Sequence, residues 1–334
     1  MALAFVTGGT GFLGRRMVEM LLERGWSVRA LHRSPADAAT PRALGAEPVQ
    51  GDLDDTPALR RGMAGADTVF HCAALFTMWA PHADFERANV DGTRNLLAAA
   101  QAEHVARFIQ IGAAAVFMKK RESMIAVTED APLAHPSWAP YIASKARAQA
   151  LVLGADRADG MRTAMILPPM IWGARMPMLD HVVANFAAGQ FAWPGGGKSR
   201  MSTAHVDNVC HGAILAAEKM VGGHAYFVSD GKDRTMREVM TALVATRGVE
   251  AKARDVPAGV AWFLATIMET MWRTFRRKGE PPLTRQMLRM VSFDFTVSDR
   301  QARQELGYTP KVSWEEGIAE MSSSTRIPSQ RHAR

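Results

Sequence analysis

Cysteine is scarce, and two residues in a chain of 334 cannot build a disulfide framework. Cys72 and Cys210 each fall inside an apolar element, without metal-ligand or redox spacing, so both are read as buried thiols in a reducing compartment. No basic stretch followed by a cleavable apolar run precedes the first strand pattern; no secretory leader is expected, and cytoplasmic residence is. The strongly apolar stretch 258–275 is interrupted by Glu269 and Arg273, which makes it a poor candidate for spanning about 30 Å of hydrocarbon. One-signed charge is not concentrated either. The formal net charge is +7, yet Lys and Arg are dispersed except at 273–278 and near the C-terminus, so no nucleic-acid partner is expected. No internal repeat is present. The segment 322–334 has few apolar residues and reads as a tail without fixed structure.

What the chain does have is a hydrophobic content of 48%, enough for a large core, and a strand, turn and helix in register at its start. Residues 3–6 read as a buried parallel strand and 12–24 carry apolar residues at helical spacing. Between them Gly8, Gly11 and Gly14 let the backbone turn tightly beneath a helix N-terminus, whose unpaired N–H groups suit a pyrophosphate. Apolar strands at 27–32, 68–71, 107–111 and 162–167 then alternate with helical patterns that include 85–103 and 141–154. This alternation predicts an α/β fold with a doubly wound parallel sheet of Rossmann type. The pattern breaks after Leu167 into Pro- and Gly-rich connections. The expected organisation is a dinucleotide-binding domain at 1–167, with 203–220 returning to it, and a smaller α/β substrate region formed by 168–202 and 221–321.

Tyr141 and Lys145 lie four apart on a predicted helix, so both project from one face. A phenol with a pKa near 10 is a poor acid or base at neutral pH unless a cation stabilises its anion. Lys145 is placed to do that, at the ends of parallel strands where such folds bind ligands.

On these residues the chain resembles the extended short-chain dehydrogenase/reductases of the NAD(P)-dependent epimerase/dehydratase superfamily, and within them the 3β-hydroxysteroid and sterol dehydrogenase-like branch. The resemblance runs through most of the chain, at 7–14, 51–53, 71–74, 89–96, 141–145, 168–173, 205–208 and 305–310. It implies a catalytic pair, Tyr141 and Lys145. It also implies cofactor contacts from Gly8, Thr10, Gly11, Phe12, Leu13 and Gly14 at the turn, His32 and Arg33 after the second strand, Asp52 and Leu53 on the adenine side, Cys72, Ala73 and Ala74 after the fourth strand, and Pro168, together with Tyr141 and Lys145. Substrate contacts are assigned to Ala113, Met170 and Trp172, and no metal is expected. A homodimer packed through the helices that contain Asn89 and Tyr141 is implied as well.

Two departures from the family pattern stand out. Where relatives carry Ser or Thr before the aromatic of the fifth-strand segment, this chain has Ala113, and Leu167 replaces an arginine before the prolines. A missing hydroxyl donor slows such chemistry by about a hundredfold to a thousandfold. Three readings stay open: a water suffices beside Tyr141, Ser137 or Ser144 substitutes, or the protein binds cofactor as a sensor or assembly protein without turnover. His32 and Arg33 stand where a carboxylate would select NAD; a guanidinium pairs with a 2′-phosphate, so NADP(H) is expected over NAD. Asp207 is read as the cap of the helix that follows it. Methionines at 170, 176, 178, 201, 268 and 271, with Trp172 and Trp193, suggest a roomy cleft for a lipophilic secondary alcohol or ketone. A 2-alkyl-3-keto acid reductase or a sugar-nucleotide epimerase on the same scaffold are the alternatives. The segment 258–278 is read as a lid over that cleft or as an interfacial helix in peripheral membrane contact.

Overall fold

The first apolar run, Leu3–Thr7 (β1), leads through the glycine turn into the helix Phe12–Glu23 (α1). The same strand-to-helix alternation supplies Ser27–His32 (β2), Glu47–Gln50 (β3), Thr68–His71 (β4), Arg107–Ile111 (β5), Arg162–Leu167 (β6) and His224–Phe227 (β7). In the computed structural model, which describes residues 2–220 and 222–325, these strands form one seven-stranded sheet in the order β7-β6-β5-β4-β1-β2-β3, with every pair parallel. Parallel strands covered on both faces read as continuous apolar runs, and β4 is accordingly buried at every position. Thr56–Met63, Gly92–Ala102 (α2) and Pro140–Gly154 (α3) cover one face through Leu59, Leu96, Ile142 and Val152. α1 and Val206–Lys219 (α4) cover the other through Met17, Leu21, Val209 and Ala213. Strand order reverses at β1, which opens a crevice beyond the carboxyl ends of β1 and β4.

The smaller region is built from short strands. Arg234–Thr235, Arg200–Met201, Phe295–Val297 and Met124–Val127 form a four-stranded sheet, and Thr203–His205 pairs in parallel with Met170–Trp172. Three expected boundaries need correction. β7 belongs to the large sheet, not to the substrate region, because its four residues pair with Ala164 to Leu167 of β6. Met124–Val127, inside the stretch expected to be wholly dinucleotide-binding, pairs with Phe295–Val297. The helix Trp314–Thr325 continues past Ser322, whose hydroxyl donates to the Ile318 carbonyl, so the tail does not begin there; 326–334 lie outside the described residues.

The strongly apolar segment forms a 17-residue helix, Ala258–Thr274 (α5), lying against Arg285–Ser292 (α6). Glu269, the carboxylate that interrupts it, is buried and holds the Arg285 guanidinium at 2.6 Å and the Arg285 N–H at 2.6 Å. Among the described residues no helix is long and apolar enough to cross a membrane.

Asp230, just past β7, joins the two regions. One carboxylate oxygen accepts from the Trp172 indole N–H (2.7 Å) and the Thr203 hydroxyl (2.8 Å), the other from the His205 N–H (2.7 Å) and the Asn208 amide (2.8 Å). Asn208 in turn accepts from the N–H groups of Lys311 and Val312, which pins the segment before the last helix. Stranding several buried donors at about 1–3 kcal/mol each predicts that Asp230→Ala lowers unfolding free energy by at least about 3 kcal/mol, with Asp230→Asn intermediate. Urea denaturation checks this; a loss within about 1 kcal/mol would show that the carboxylate is dispensable.

Candidate cofactor and substrate site

The site begins with a steric fact. Gly8 has φ +71°, and a Cβ there would lie 2.8 Å from the Ala73 nitrogen; a Cβ at Gly14 would lie 2.1 Å from the Gly8 oxygen. The turn therefore closes directly onto the end of β4 and onto the first turn of α1. Gly11 occupies the N-cap of α1 and offers no side-chain acceptor, which leaves that N-terminus free for an anion. A dinucleotide pyrophosphate fits such a cradle. Thr10, Gly11 and Phe12 line a cleft of about 920 Å³ whose opposite wall includes Arg175, Met176 and Asp207, while Leu13 is half-buried in the core behind it.

Behind the cradle runs a directional chain of hydrogen bonds. Thr93 donates its hydroxyl proton to the Asn89 carbonyl (2.7 Å), so its oxygen accepts from His71 Nε2 (3.1 Å). His71 Nδ1 is then the acceptor for the Thr7 hydroxyl (2.8 Å), and Thr7 Oγ1 accepts from the Ala73 N–H (3.2 Å). Burial, aided by the Lys145 charge, lowers the His71 pKa to about 3, which keeps the ring neutral as this chain requires. Asn89 also takes the Leu75 N–H and donates to the Ser144 hydroxyl (3.0 Å), tying the loop after β4 to α3.

Tyr141 and Lys145 are both buried on α3. Pro140 at its first turn starts the helix without wasting a donor. The Lys145 ammonium donates to the Ile111 carbonyl at the end of β5 (2.9 Å), and burial lowers its pKa to about 8. The Tyr141 ring meets Phe76 and Phe85 edge-on, with centroids 5.2 and 6.3 Å apart. In the ligand-free protein burial raises the Tyr141 pKa above its usual value of 10. Cys72 lies near Lys145, but burial pushes its thiol up to about 12, so it is no nucleophile.

Arg33, Gly51 and Asp52 line an open pocket of about 410 Å³ at the edge of the sheet, joined by Arg61, which sequence reasoning missed. Arg61 stands on Thr56–Met63, and only the folded chain brings that helix to β2. Asp52 accepts from the N–H groups of Asp54 (2.8 Å) and Asp55 (3.2 Å), and Asp55 caps the helix. His32 is buried with Nδ1 held to the Ser34 carbonyl (2.9 Å), so its ring turns back on its own loop. Leu53 packs against Gly92. Ala74 follows Ala73 in the loop after β4, and the Pro168 carbonyl accepts from the Ala114 N–H (2.9 Å).

Ala113 is extended at the end of β5 and shares an apolar cluster with Tyr141. Ser144 does not replace the missing hydroxyl, because it donates to the Tyr141 carbonyl (2.8 Å) within its own helix. Ser137 is exposed before α3. Trp172 must be removed from the substrate contacts: it is fully buried, bonded to Asp230 and packed on His205 and Trp314 at 4.9 and 4.4 Å. Met170 packs into the same cluster of the smaller region, and Trp193 is fully buried there. Asp207 is not the cap of α4. His205 is, accepting from the Asp207 N–H (3.3 Å), while the Asp207 carboxylate grips Arg16 of α1 through two bonds of 2.9 Å. A pocket of about 260 Å³ lies elsewhere, between Trp79, Phe85, Trp138 and Pro140 on one side and Trp272 and Arg273 of α5 on the other; Tyr141 does not line it but packs on its Phe85 wall.

A lysine whose folded pKa is depressed from 10.5 to about 8 costs stability below pH 8, and the cost is relieved as pH rises toward 10.5. Lys145→Met is therefore expected to raise the melting temperature of the ligand-free protein near pH 7 and to flatten its rise between pH 8 and 10. A lowered melting temperature would mean that the bond to Ile111 outweighs the burial of charge.

The family model described as the NAD dependent epimerase/dehydratase family matches residues 4–229. The chain is 39% identical over 315 residues to the 4-hydroxy-2-methyl-3-oxo-4-farnesyl-3,4-dihydroquinoline-1-oxide ketoreductase of Stigmatella aurantiaca, covering 94% of each protein. It is 33% identical to the decarboxylating sterol-4-alpha-carboxylate 3-dehydrogenase of Dictyostelium discoideum, covering 95% of this chain and 99% of the relative. Among solved structures, a DesIV double mutant (dTDP-glucose 4,6-dehydratase) from Streptomyces venezuelae with NAD and DAU bound superposes with a TM-score of 0.76 at 25% identity, covering 98% of both chains. The Rossmann sheet, the glycine cradle and the buried Tyr141–Lys145 pair agree with these likenesses: the chain belongs to the NAD dependent epimerase/dehydratase family and is an oxidoreductase of the extended short-chain dehydrogenase/reductase type.

Proposed function

We propose that the chain interconverts a secondary alcohol and a ketone on a bulky apolar molecule, with NADP(H) as the preferred cofactor. The nicotinamide, when bound, supplies or takes up the hydride. The observation that carries the reading is the buried Tyr141, one turn from Lys145, whose ring packs on Phe85, a wall of the pocket that Trp79, Trp138 and Trp272 also line. In the reducing direction the Tyr141 hydroxyl gives its proton to the carbonyl oxygen, and burial that keeps the phenol protonated favours this direction. Lys145 is already fixed by the Ile111 carbonyl and supplies positive charge to the tyrosinate that forms. A water takes the place of the hydroxyl that Ala113 lacks. The aromatic walls suit a ring system or prenyl chain; the relatives named for a farnesylated quinoline and a sterol carboxylate support that choice over a sugar nucleotide.

Reduction of steroid, prenylated and fatty ketones, followed as NADPH consumption, tests the reading. Tyr141→Phe is expected to lower kcat by at least about a hundredfold with the cofactor still bound. Undiminished turnover would remove Tyr141 as proton donor. Ala113→Ser is expected to raise kcat about tenfold or more; a fall would mean that the site is shaped around alanine and its water.

The cofactor preference rests on Arg33 and Arg61 beside the pocket that also contains Asp52. Each of Arg33→Ala and Arg61→Ala is expected to weaken NADPH binding about tenfold or more and to leave NADH binding within about twofold. Tighter binding of NADH by the unaltered protein would overturn the preference.

A further inference from the structure

The helix α5 is apolar on the wrong side. Ala261, Trp262, Ala265 and Glu269 face the protein, yet Val260, Phe263, Leu264 and Ile267 at helical spacing, followed by Phe275, are between 42% and 70% exposed. A helix end of this kind left in water is costly, and contiguous apolar surface of this sort marks an interaction site. Cations adjoin α5 near both of its ends. Arg276, Arg277 and Lys278 follow the helix, and the exposed loop Lys119, Lys120 and Arg121 reaches its inward-facing side near the start, with the Arg121 guanidinium 5.6 Å from the centre of the Trp262 ring. That loop is fixed from within: buried Arg289 of α6 donates to the carbonyls of Lys119 and Glu122. Two carboxylates adjoin these cations, Glu122 paired with Lys119 and Glu280 taken by the Thr77 hydroxyl.

We infer that this face docks the protein on an anionic phospholipid surface, with the stripe Val260, Phe263, Leu264, Ile267 and Phe275 inserted among the acyl chains and the six flanking cations at the headgroups. Charge decides between lipid and a second copy of the chain. A two-fold contact through the stripe would bring the same cations face to face, whereas a negatively charged surface pairs with all of them. The opposite side of α5 carries Trp272 and Arg273 into the apolar pocket, so in the docked protein α5 lies between that pocket and the bilayer.

Co-sedimentation of the full chain with vesicles of phosphatidylcholine, and with vesicles that also contain phosphatidylglycerol, tests the inference. Binding is expected to the anionic vesicles and to fall as salt is raised. Phe263→Ser with Leu264→Ser is expected to weaken it about tenfold or more. Lys120→Glu with Lys278→Glu is expected to weaken it by a similar factor and to flatten the salt dependence, while the melting temperature of both variants stays at that of the parent. No binding to anionic vesicles, binding that neither pair of substitutions reduces, or a dimer in sedimentation velocity that Phe263→Ser breaks would each overturn it.

Discussion

Gly8 lacks a side chain because the backbone of Cys72 and Ala73 occupies the space that one would need. That close approach of two parallel strand ends is the constraint on which the site depends. It brings Thr7 within reach of His71 and the Ala73 N–H, and from there Thr93 and Asn89 extend the chain of hydrogen bonds to α3. The relay works in one direction only, since Thr93 spends its proton on a helix carbonyl and so dictates the His71 tautomer. A neutral ring is part of that logic, and burial provides it. The phosphate cradle and the helix bearing Tyr141 are therefore positioned by one polar network through the edge of the core, not by two independent supports.

A second joint holds the smaller region. Arg16 of α1 and Asp207 of α4 form a two-bond clamp within the cleft, and behind it Asp230 gathers Trp172, Thr203, His205 and Asn208. The segments 205–208 and 305–310, which resemble family signatures, find their physical meaning here. Asn208 anchors Lys311 and Val312, and the Tyr308 hydroxyl donates to the Ser229 carbonyl (2.9 Å). They fasten neighbouring segments together, with Asn208 held to Asp230, Lys311 and Val312 and Tyr308 to Ser229.

What could be read directly from the chain follows from where each residue is buried. β2, β4, β5 and β6 were legible to the residue because each carries a cluster of apolar residues that the folded sheet buries. β3 was not: it is an edge strand carrying Glu47, Pro48 and Gln50, without an apolar run to betray it. β7 fell in the stretch assigned to the substrate region, because its membership of the large sheet depends on a crossover that periodicity does not encode. Tyr141 and Lys145 were legible because a spacing of four places both on one helix face. Trp172 was misplaced for a related reason: residue type marks an apolar environment without distinguishing a cleft from a core, and the partner that decides, Asp230, is 58 positions away. Arg61 was missed because an arginine on an amphipathic helix carries no signal until Thr56–Met63 is set beside β2.

The protonation of Tyr141 and Lys145 could not have been read from spacing at all. Spacing alone suggests that Lys145 makes Tyr141 more acidic, yet burial drives the phenol up and the ammonium down, each toward its neutral form. The ligand-free site is thus held in a state suited to donating a proton from oxygen, with a cation kept in place by one carbonyl. A buried charge with so few partners is a cost the fold accepts for its chemistry, and it makes the site sensitive to whatever charge arrives with a ligand. A ligand that brought negative charge or hydroxyls to Lys145 would favour the ammonium form, and a protonated Lys145 favours the tyrosinate. Binding and proton transfer would then be coupled through a single lysine whose burial is a cost to the ligand-free protein.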